Sequence, residues 1–242
     1  MTKKRLDLLV AEQHPKLSRS QIQSFIVQGK VLVNDRIVTK PGTAVDQEAK
    51  ITLTVTEQKY VSRAGFKLEA ALQHYGISVA GLTALDAGLS TGGFTDCLLQ
   101  QGVKKVYGVD VGYGQVHEKI RNDPRVVVME RVNLRSMSKL AEQVDLVTLD
   151  LSFISLLKVL DTVVANLKKD GTLIALIKPQ FEARKEEVGA GGIIKDTKVH
   201  ERVVKEVVAG IEAAGFTCQV PIESPILGTE GNKEFLVCCK KH

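Results

Sequence analysis

Cysteine is scarce in these 242 residues, and its four occurrences, Cys97, Cys218, Cys238 and Cys239, never fall at a Cys-x-x-Cys spacing. Thiolate metal clusters and small disulfide frameworks use that spacing, so neither is expected, and a reducing cytoplasm fits the pattern. Histidine is sparse too: five residues with no pair at ligand spacing, which leaves no expected metal. Long hydrophobic runs are missing. Apolar stretches such as residues 173–177 fall far short of the roughly 20 residues that span a bilayer, which excludes a spanning helix from the reading. Nor does the start resemble a secretory leader, because Asp7 interrupts the apolar stretch 6–11.

What is there is the composition of a packed, globular chain, with 44% hydrophobic and 25% charged residues. The length accommodates one large domain or a small one plus a medium one. The formal charge of +5 is unevenly spread: residues 1–60 hold ten Lys/Arg against six Asp/Glu, and the rest of the chain 23 against 22. A basic small module on a near-neutral body suits a polyanionic partner, against the bland alternative of a solvated basic face.

Residues 1–55 read as two helices and a hairpin. Leu6, Leu9 and Val10 recur at helical spacing, and Ser18 is placed to cap a second helix carrying Ile22, Phe25 and Ile26 up to Gly29. Alternating apolar residues at Val31, Val33 and Ile37 surround the turn residues Asn34-Asp35, and 51–55 alternates again after the turn at Lys40-Pro41-Gly42. The polar stretch 56–61 reads as a linker. From residue 62 the grammar changes to strands at 82–86, 106–110, 126–129, 144–150 and 172–177, separated by helices near 94–101, 115–122, 155–168 and 198–214. That is the pattern of a doubly wound parallel sheet, an α/β Rossmann-like fold. Two further strands near 216–222 and 234–239, with no helix between them, predict an antiparallel hairpin at the edge of a seven-stranded sheet. This hairpin separates the methyltransferase version of the fold from a plain dinucleotide-binding one.

The first strand runs into Asp86-Ala87-Gly88-Leu89-Ser90-Thr91-Gly92-Gly93-Phe94. Glycines let backbone approach a ligand, and the following helix offers free N–H groups. The Gly-x-x-x-Gly-Gly spacing differs from the Gly-x-Gly-x-x-Gly of nicotinamide-binding turns and leaves room for a methionine chain. Asp110, followed by Val111, ends the next strand where an acid would hold ribose hydroxyls, and Asn133 is a candidate for an adenine amino group. Turn, acid and edge hairpin together favour S-adenosylmethionine. Asp86, Gly88, Ser90, Thr91, Gly92, Gly93, Phe94, Asp110, Val111, Asn133 and Asp150 are the candidate cofactor-binding residues.

Asp150 and Lys178 end the fourth and fifth strands, where the ligands of such sheets sit. Glu234 opens the last strand, which should run antiparallel and start on that same edge, and Lys67 lies on the helix before the first strand. Two lysines and two carboxylates suit methylation of a ribose hydroxyl, a poor nucleophile that must lose its proton. A lysine crowded by a second cation and partly taken out of water can serve as base, the role assigned to Lys178. Asp150 would orient its ammonium, and Lys67 and Glu234 would position the hydroxyl. Residues 185–195, with three glycines, read as a mobile lid or, equally, as a passive surface loop.

The stretches Ser62-Arg-Ala-Gly-Phe-Lys-Leu68, residues 85–97, Asp110-Val-Gly-Tyr-Gly-Gln115, Asp150-Leu-Ser-Phe-Ile-Ser155 and Ile177-Lys-Pro-Gln-Phe-Glu182 resemble the TlyA family. That family is often labelled haemolysin, and its large domain is of the FtsJ ribose-methyltransferase type. Residues 5–9, 18–20 and 29–42 are similar to the S-four RNA-binding domain. The resemblance implies a class I methyltransferase domain over 62–242 behind a small α+β RNA-binding domain. It also implies 2′-O-methylation of cytidine in ribosomal RNA within a ribosomal subunit, with Lys67, Asp150, Lys178 and Glu234 as the Lys-Asp-Lys-Glu tetrad. The turn reads Gly-Leu-Ser-Thr-Gly-Gly where the FtsJ group has Ala-Pro-Gly-Gly, and Asn133 stands where that group has Asp. Lys3, Lys4, Arg5, Arg19, Lys30, Arg36, Lys40 and Arg63 are the basic side chains expected to meet RNA phosphate. A catalytically silent RNA-binding factor is the alternative. The membrane-active protein suggested by the family label would need an amphipathic or spanning helix, and the sequence offers neither.

Overall fold

A computed structural model describes residues 2–15, 17–54 and 59–242. The chain divides into two compact units, residues 1–58 and 59–242. In the smaller, β1 (Lys3–Arg5) leads into α1 (Leu6–Gln13) and then α2 (Arg19–Val27). Ser18 opens α2 with a capping box: its hydroxyl accepts from Gln21 N, and its own N–H donates to Gln21 Oε1 at 2.8 Å. β2 (Val31–Val33) and β3 (Arg36–Ile37) form a hairpin whose two turn residues, Asn34 and Asp35, both have positive φ, the geometry whose twist matches the strands. β4 (Ala44–Asp46) pairs with β1, and β5 (Ile51–Leu53) with β2. The β1–β4 pair carries no alternation signal because β1 is Lys3-Lys4-Arg5, with no apolar residue, and in β4 only Val45 is buried. Leu6, Val10, Ile22, Ile26 and Val31 are fully buried and form this unit's core.

Of the stretch expected as a linker, 56–58 lies outside the described residues, and 59–61 belongs to the larger unit. Tyr60 is 1% exposed, with its ring edge-on to Phe66, and Val61 N donates to Asp96 Oδ2 at 2.9 Å. Polar neighbours hide this apolar anchor in the sequence.

The larger unit runs α3 (Ala64–His74), β6 (Thr83–Ala87), α4 (Gly93–Gln100), β7 (Lys105–Val109), α5 (Glu118–Arg121), β8 (Val126–Met129), β9 (Val144–Leu149), α6 (Leu160–Asn166), β10 (Leu167–Ile177), α7 (Pro179–Glu182), α8 (Thr197–Ala213), β11 (Phe216–Cys218), β12 (Ile222–Glu223) and β13 (Phe235–Lys241). The sheet order is β11-β13-β10-β9-β6-β7-β8, with β12 also on β13. β8, β7, β6, β9 and β10 are parallel, and β13 runs antiparallel between β10 and β11. The expected edge hairpin is present, but its first strand is broken into β11 and β12, so eight strands contribute. Helices turn out shorter than expected near 115–122 and 155–168. Leu156–Val159 is a 3-10 turn, and β10 begins at Leu167, taking the end of the expected helix. Two apolar clusters lie on opposite faces of the sheet, alternating along the strands: Leu85 and Ala87 in one, Ala84 in the other.

One expectation from cysteine spacing is overturned. Cys218 and Cys239 are joined by a disulfide, because the register sets β11 directly against β13 at these positions. With a separation of 21 positions along the chain, no local spacing could signal the pairing. The cysteine pattern therefore no longer argues for a reducing compartment. Among the described residues no helix is long and apolar enough to cross a membrane.

Candidate active site

β6 is the first strand of the sheet, and its successors lie on both sides of it, β7 on one and β9 on the other. The cleft beyond such a switch point is where α/β sheets take ligands. Here a cavity of about 310 Å³ opens among Ser62, Arg63, Lys67, Gly88, Ser90, Thr91, Asp150, Ser152, Lys178, Leu227, Gly228 and Glu234. Sheet register explains the convergence. Gly88 follows β6, Asp150 follows β9, and Lys178 follows β10, whose last residue, Ile177, pairs with Phe235 directly after Glu234. Lys67 enters from α3.

Two ion pairs stand inside. Lys67 Nζ lies 2.5 Å from Glu234 Oε2, and Lys178 Nζ lies 2.6 Å from Asp150 Oδ1. Lys67, Lys178 and Glu234 are buried, at 8%, 9% and 2% exposure. The Lys178 ammonium donates to Ser152 Oγ at 3.0 Å, whereas its contact with Asp150 is a charge contact without hydrogen-bond alignment. Asp150 Oδ1 is thus a buried acceptor with no hydrogen-bond donor among the described residues.

The Gly-rich turn shapes the cavity wall. Gly88 has φ +90°, and a Cβ there would lie 2.3 Å from the Asp150 carbonyl oxygen, so only glycine lets the two loops touch. Asp110 holds the turn from the next strand: Oδ2 accepts Ser90 N at 2.7 Å and Oδ1 accepts Gly112 N at 2.6 Å. Gly92 caps α4, and Gly93 packs against Ser62 and Gly65, where a Cβ would meet Ser62 Oγ at 2.2 Å.

Four residues expected at the cofactor are elsewhere. Asp86 is fully buried and spends its carboxylate on Thr95 Oγ1 at 2.6 Å and Thr148 Oγ1 at 2.8 Å, while burial pushes its pKa up to about 6. Phe94 is 3% exposed and packs in the apolar core. Val111 is 70% exposed, outside the lining of the cavity. Asn133 lines a separate surface groove and accepts Arg135 N at 3.0 Å, a turn-forming role. The 185–195 stretch is tethered where a free lid was expected: Asn232 accepts Ile194 N at 3.1 Å and donates to Gly192 O at 2.9 Å, and Arg202 pairs with Glu187.

Sequence reasoning missed Phe153. It is 90% exposed, sits in left-handed backbone at φ +65°, and meets the Phe181 ring at 5.0 Å, one residue beyond Ser152 of the cavity. That backbone costs a bulky side chain roughly 1–2 kcal/mol, which makes an exposed aromatic beside a charged cavity a candidate site residue. No sequence signal marks a left-handed phenylalanine.

On the smaller unit the basic residues differ in freedom. Arg5 binds Asp7 through two hydrogen bonds of 3.0 and 2.9 Å, and Arg19 approaches the same carboxylate at 3.7 Å. Hydrogen bonding from Arg5 is the main reason the Asp7 carboxyl is held down at about 2. Lys4 pairs with Glu12, and Lys30 lies 5.7 Å from the centre of the Phe25 ring. Lys3, Arg36 and Lys40 are exposed. In the larger unit Arg63 donates to Leu227 O at 3.1 Å on the cavity rim.

Comparison with known proteins follows the same division. A family model described as FtsJ-like methyltransferase matches residues 60–241, and an S4 domain model matches residues 4–51. The 16S/23S rRNA (cytidine-2'-O)-methyltransferase TlyA of Mycobacterium tuberculosis is 43% identical over 223 residues, 91% of this chain and 83% of that protein. Hemolysin A of Brachyspira hyodysenteriae is 42% identical over 235 residues, 96% of this chain and 98% of that one. A solved structure from Streptococcus thermophilus that bears the hemolysin name is similar at a TM-score of 0.75 and 39% identity, covering 100% of this chain and 89% of that one. An S-adenosylmethionine dependent methyltransferase from Mesorhizobium loti, at 16% identity and a TM-score of 0.53 over 71% of this chain and 96% of that one, shares the fold alone. The chain belongs to the FtsJ-like methyltransferase family, alongside the TlyA proteins, and carries an S4 domain.

Proposed function

We propose that this protein transfers a methyl group from S-adenosylmethionine to the 2′-hydroxyl of a cytidine in ribosomal RNA, within a ribosomal subunit. The observation that carries the reading is the pair of lysine–carboxylate contacts, Lys67–Glu234 and Lys178–Asp150, in one cavity at the carboxyl edge of the sheet. The residues fit the cofactor: Gly88, where a Cβ would strike the Asp150 carbonyl, walls the cavity with Ser90 and Thr91, Asp150 lines it, and the Asp110 carboxylate stands beside the Ser90 amide. When bound, the cofactor supplies a methyl already activated on a sulfonium.

The chain's own residues supply the rest. Gly88, Ser90 and Thr91 form the wall that holds the donor, and Asp110 holds the shape of that wall. Lys178 acts as the neutral amine, after its ammonium has given a proton to solvent, and accepts the hydroxyl proton at Nζ, which Asp150 and Ser152 keep aimed. Lys67, fixed by Glu234, fixes the acceptor oxygen and stabilises its developing negative charge. Phe153 offers a face on which an unstacked base can lie, the usual way a single nucleotide is presented to a protein. The S4 domain binds the RNA backbone. The curated TlyA relatives named as cytidine-2'-O-methyltransferases support the choice of ribose and base.

The experiment is nucleoside mass spectrometry of ribosomal subunits treated with the protein and isotopically labelled donor. Label should appear on the ribose of cytidine. Lys178→Ala and Asp150→Ala should each lower kcat at least about 100-fold, and Phe153→Ala should raise the KM for RNA roughly tenfold. Label on a base, or full activity in both Lys178→Ala and Asp150→Ala, would overturn the reading.

A further inference from the structure

We propose that Gly228 is a positioning residue for Glu234: the space left by its missing side chain is where the Glu234 carboxylate lies. The inference rests on the catalytic role proposed for Glu234. A Cβ at Gly228 would stand 2.2 Å from Glu234 Oε1, 2.7 Å from its Cδ and 3.3 Å from its Cγ. The backbone itself does not ask for glycine, since φ −67° and ψ −178° are open to any residue. Gly231, three residues on, is the opposite case. It has φ +83° and nothing within 4 Å of a Cβ, so it serves the turn and leaves the carboxylate alone.

The wall that Gly228 forms is fixed. Its N–H donates to Asn232 O at 2.8 Å, and Ser224 N donates to Glu234 O at 2.8 Å. Arg63 donates to the carbonyl of the preceding Leu227 at 3.1 Å. A methyl at position 228 is therefore accommodated by movement of Glu234, whose carboxylate is the free end of a flexible side chain. That movement separates Oε2 from Lys67 Nζ, now 2.5 Å away. Turnover should suffer more than folding.

The test compares full-length wild type, Gly228→Ala, Glu234→Ala, the double variant and Gly231→Ala, with S-adenosylmethionine and ribosomal subunits. Gly228→Ala should lower kcat at least tenfold, with the KM for the donor within threefold and Tm within a few degrees of wild type. In the Glu234→Ala background the same substitution should change kcat less than twofold, because the group it displaces is gone. Gly231→Ala should lower Tm with equal effects in both backgrounds. If Gly228→Ala alone is too unstable to assay, the double variant should recover the fold, and equal instability in both backgrounds would overturn the proposal. So would an unchanged kcat, or an equal loss with and without Glu234. Absence of methyl transfer by wild type would instead count against the proposed reaction. A crystal structure of Gly228→Ala then decides the inference on its own, which fails if Glu234 Oε2 still lies within hydrogen-bond distance of Lys67 Nζ.

Discussion

Asp86 and Asp110 both close a strand beside the Gly-rich turn, and the sequence offers no means of telling them apart. Their partners do. Thr148 and Thr95 take both oxygens of Asp86, and Thr148 is 62 residues away on the neighbouring strand, so only sheet register reveals that this acid is inward-facing. Desolvation outweighs those two hydrogen bonds and raises its pKa from 3.8 to about 6. A carboxyl whose folded pKa lies above its unfolded one contributes stability below about pH 4, and loses that contribution as pH rises towards about 6. The amount is on the order of 3 kcal/mol. Asp86→Asn removes the titration while keeping the size. Its Tm relative to wild type should climb between pH 4 and 6 and level off above, whereas parallel Tm–pH profiles would refute the account. Phe153 makes the same point about legibility. Its identity was in plain sight, but its left-handed backbone and exposure arise from where two loops meet, not from its neighbours in the chain.

Elements were legible where their periodicity ran long enough to repeat. The five parallel strands and α8 announce themselves by runs of apolar residues, and the order of turn, strand and helix pointed to the doubly wound sheet. Pieces without an apolar alternation did not: β1 is Lys3-Lys4-Arg5, β4 buries only Val45, and β12 has two residues. The glycines at 189, 191 and 192 read as freedom, yet the segment is tied down by a residue forty positions away. Asn232 is 3% exposed and holds both Ile194 N and Gly192 O, while Gly189 N donates to Ile193 O at 3.0 Å. A glycine run reports what the backbone is permitted to do, and tertiary hydrogen bonds decide what it does. Hydrogen exchange can measure the difference. The Ile194 amide should be protected in the wild type, and Asn232→Ala, which removes its acceptor, should speed its exchange by about tenfold or more, the scale of one buried hydrogen bond. An Ile194 amide that already exchanges at the unprotected rate in the wild type would restore the free-lid description.

At the scale of the whole molecule the uneven charge is the main clue to a polyanionic partner, and the structure refines which charges are available. Arg5 and Arg19 are drawn onto Asp7, and Lys4 onto Glu12, so part of the basic excess of residues 1–60 is internally neutralised. Lys3, Arg36 and Lys40 stand exposed, with no ion pair among the described residues. If phosphate contacts by these three supply affinity, each releases counterions on binding and steepens the salt dependence, by roughly 0.7–0.9 in the slope of log K against log salt. Replacing all three with glutamine should then flatten that slope by up to about 2 to 3 and weaken RNA binding in dilute salt. At saturating RNA, kcat should stay at the wild-type value, because the tetrad, Gly88 and Phe153 all belong to the unit spanning residues 59–242. Filter binding across a salt series, paired with turnover at saturation, separates the two contributions. A slope unchanged by the triple substitution would remove these residues from the RNA contact. A fall in kcat at saturating RNA would mean that the small unit does more than hold the substrate.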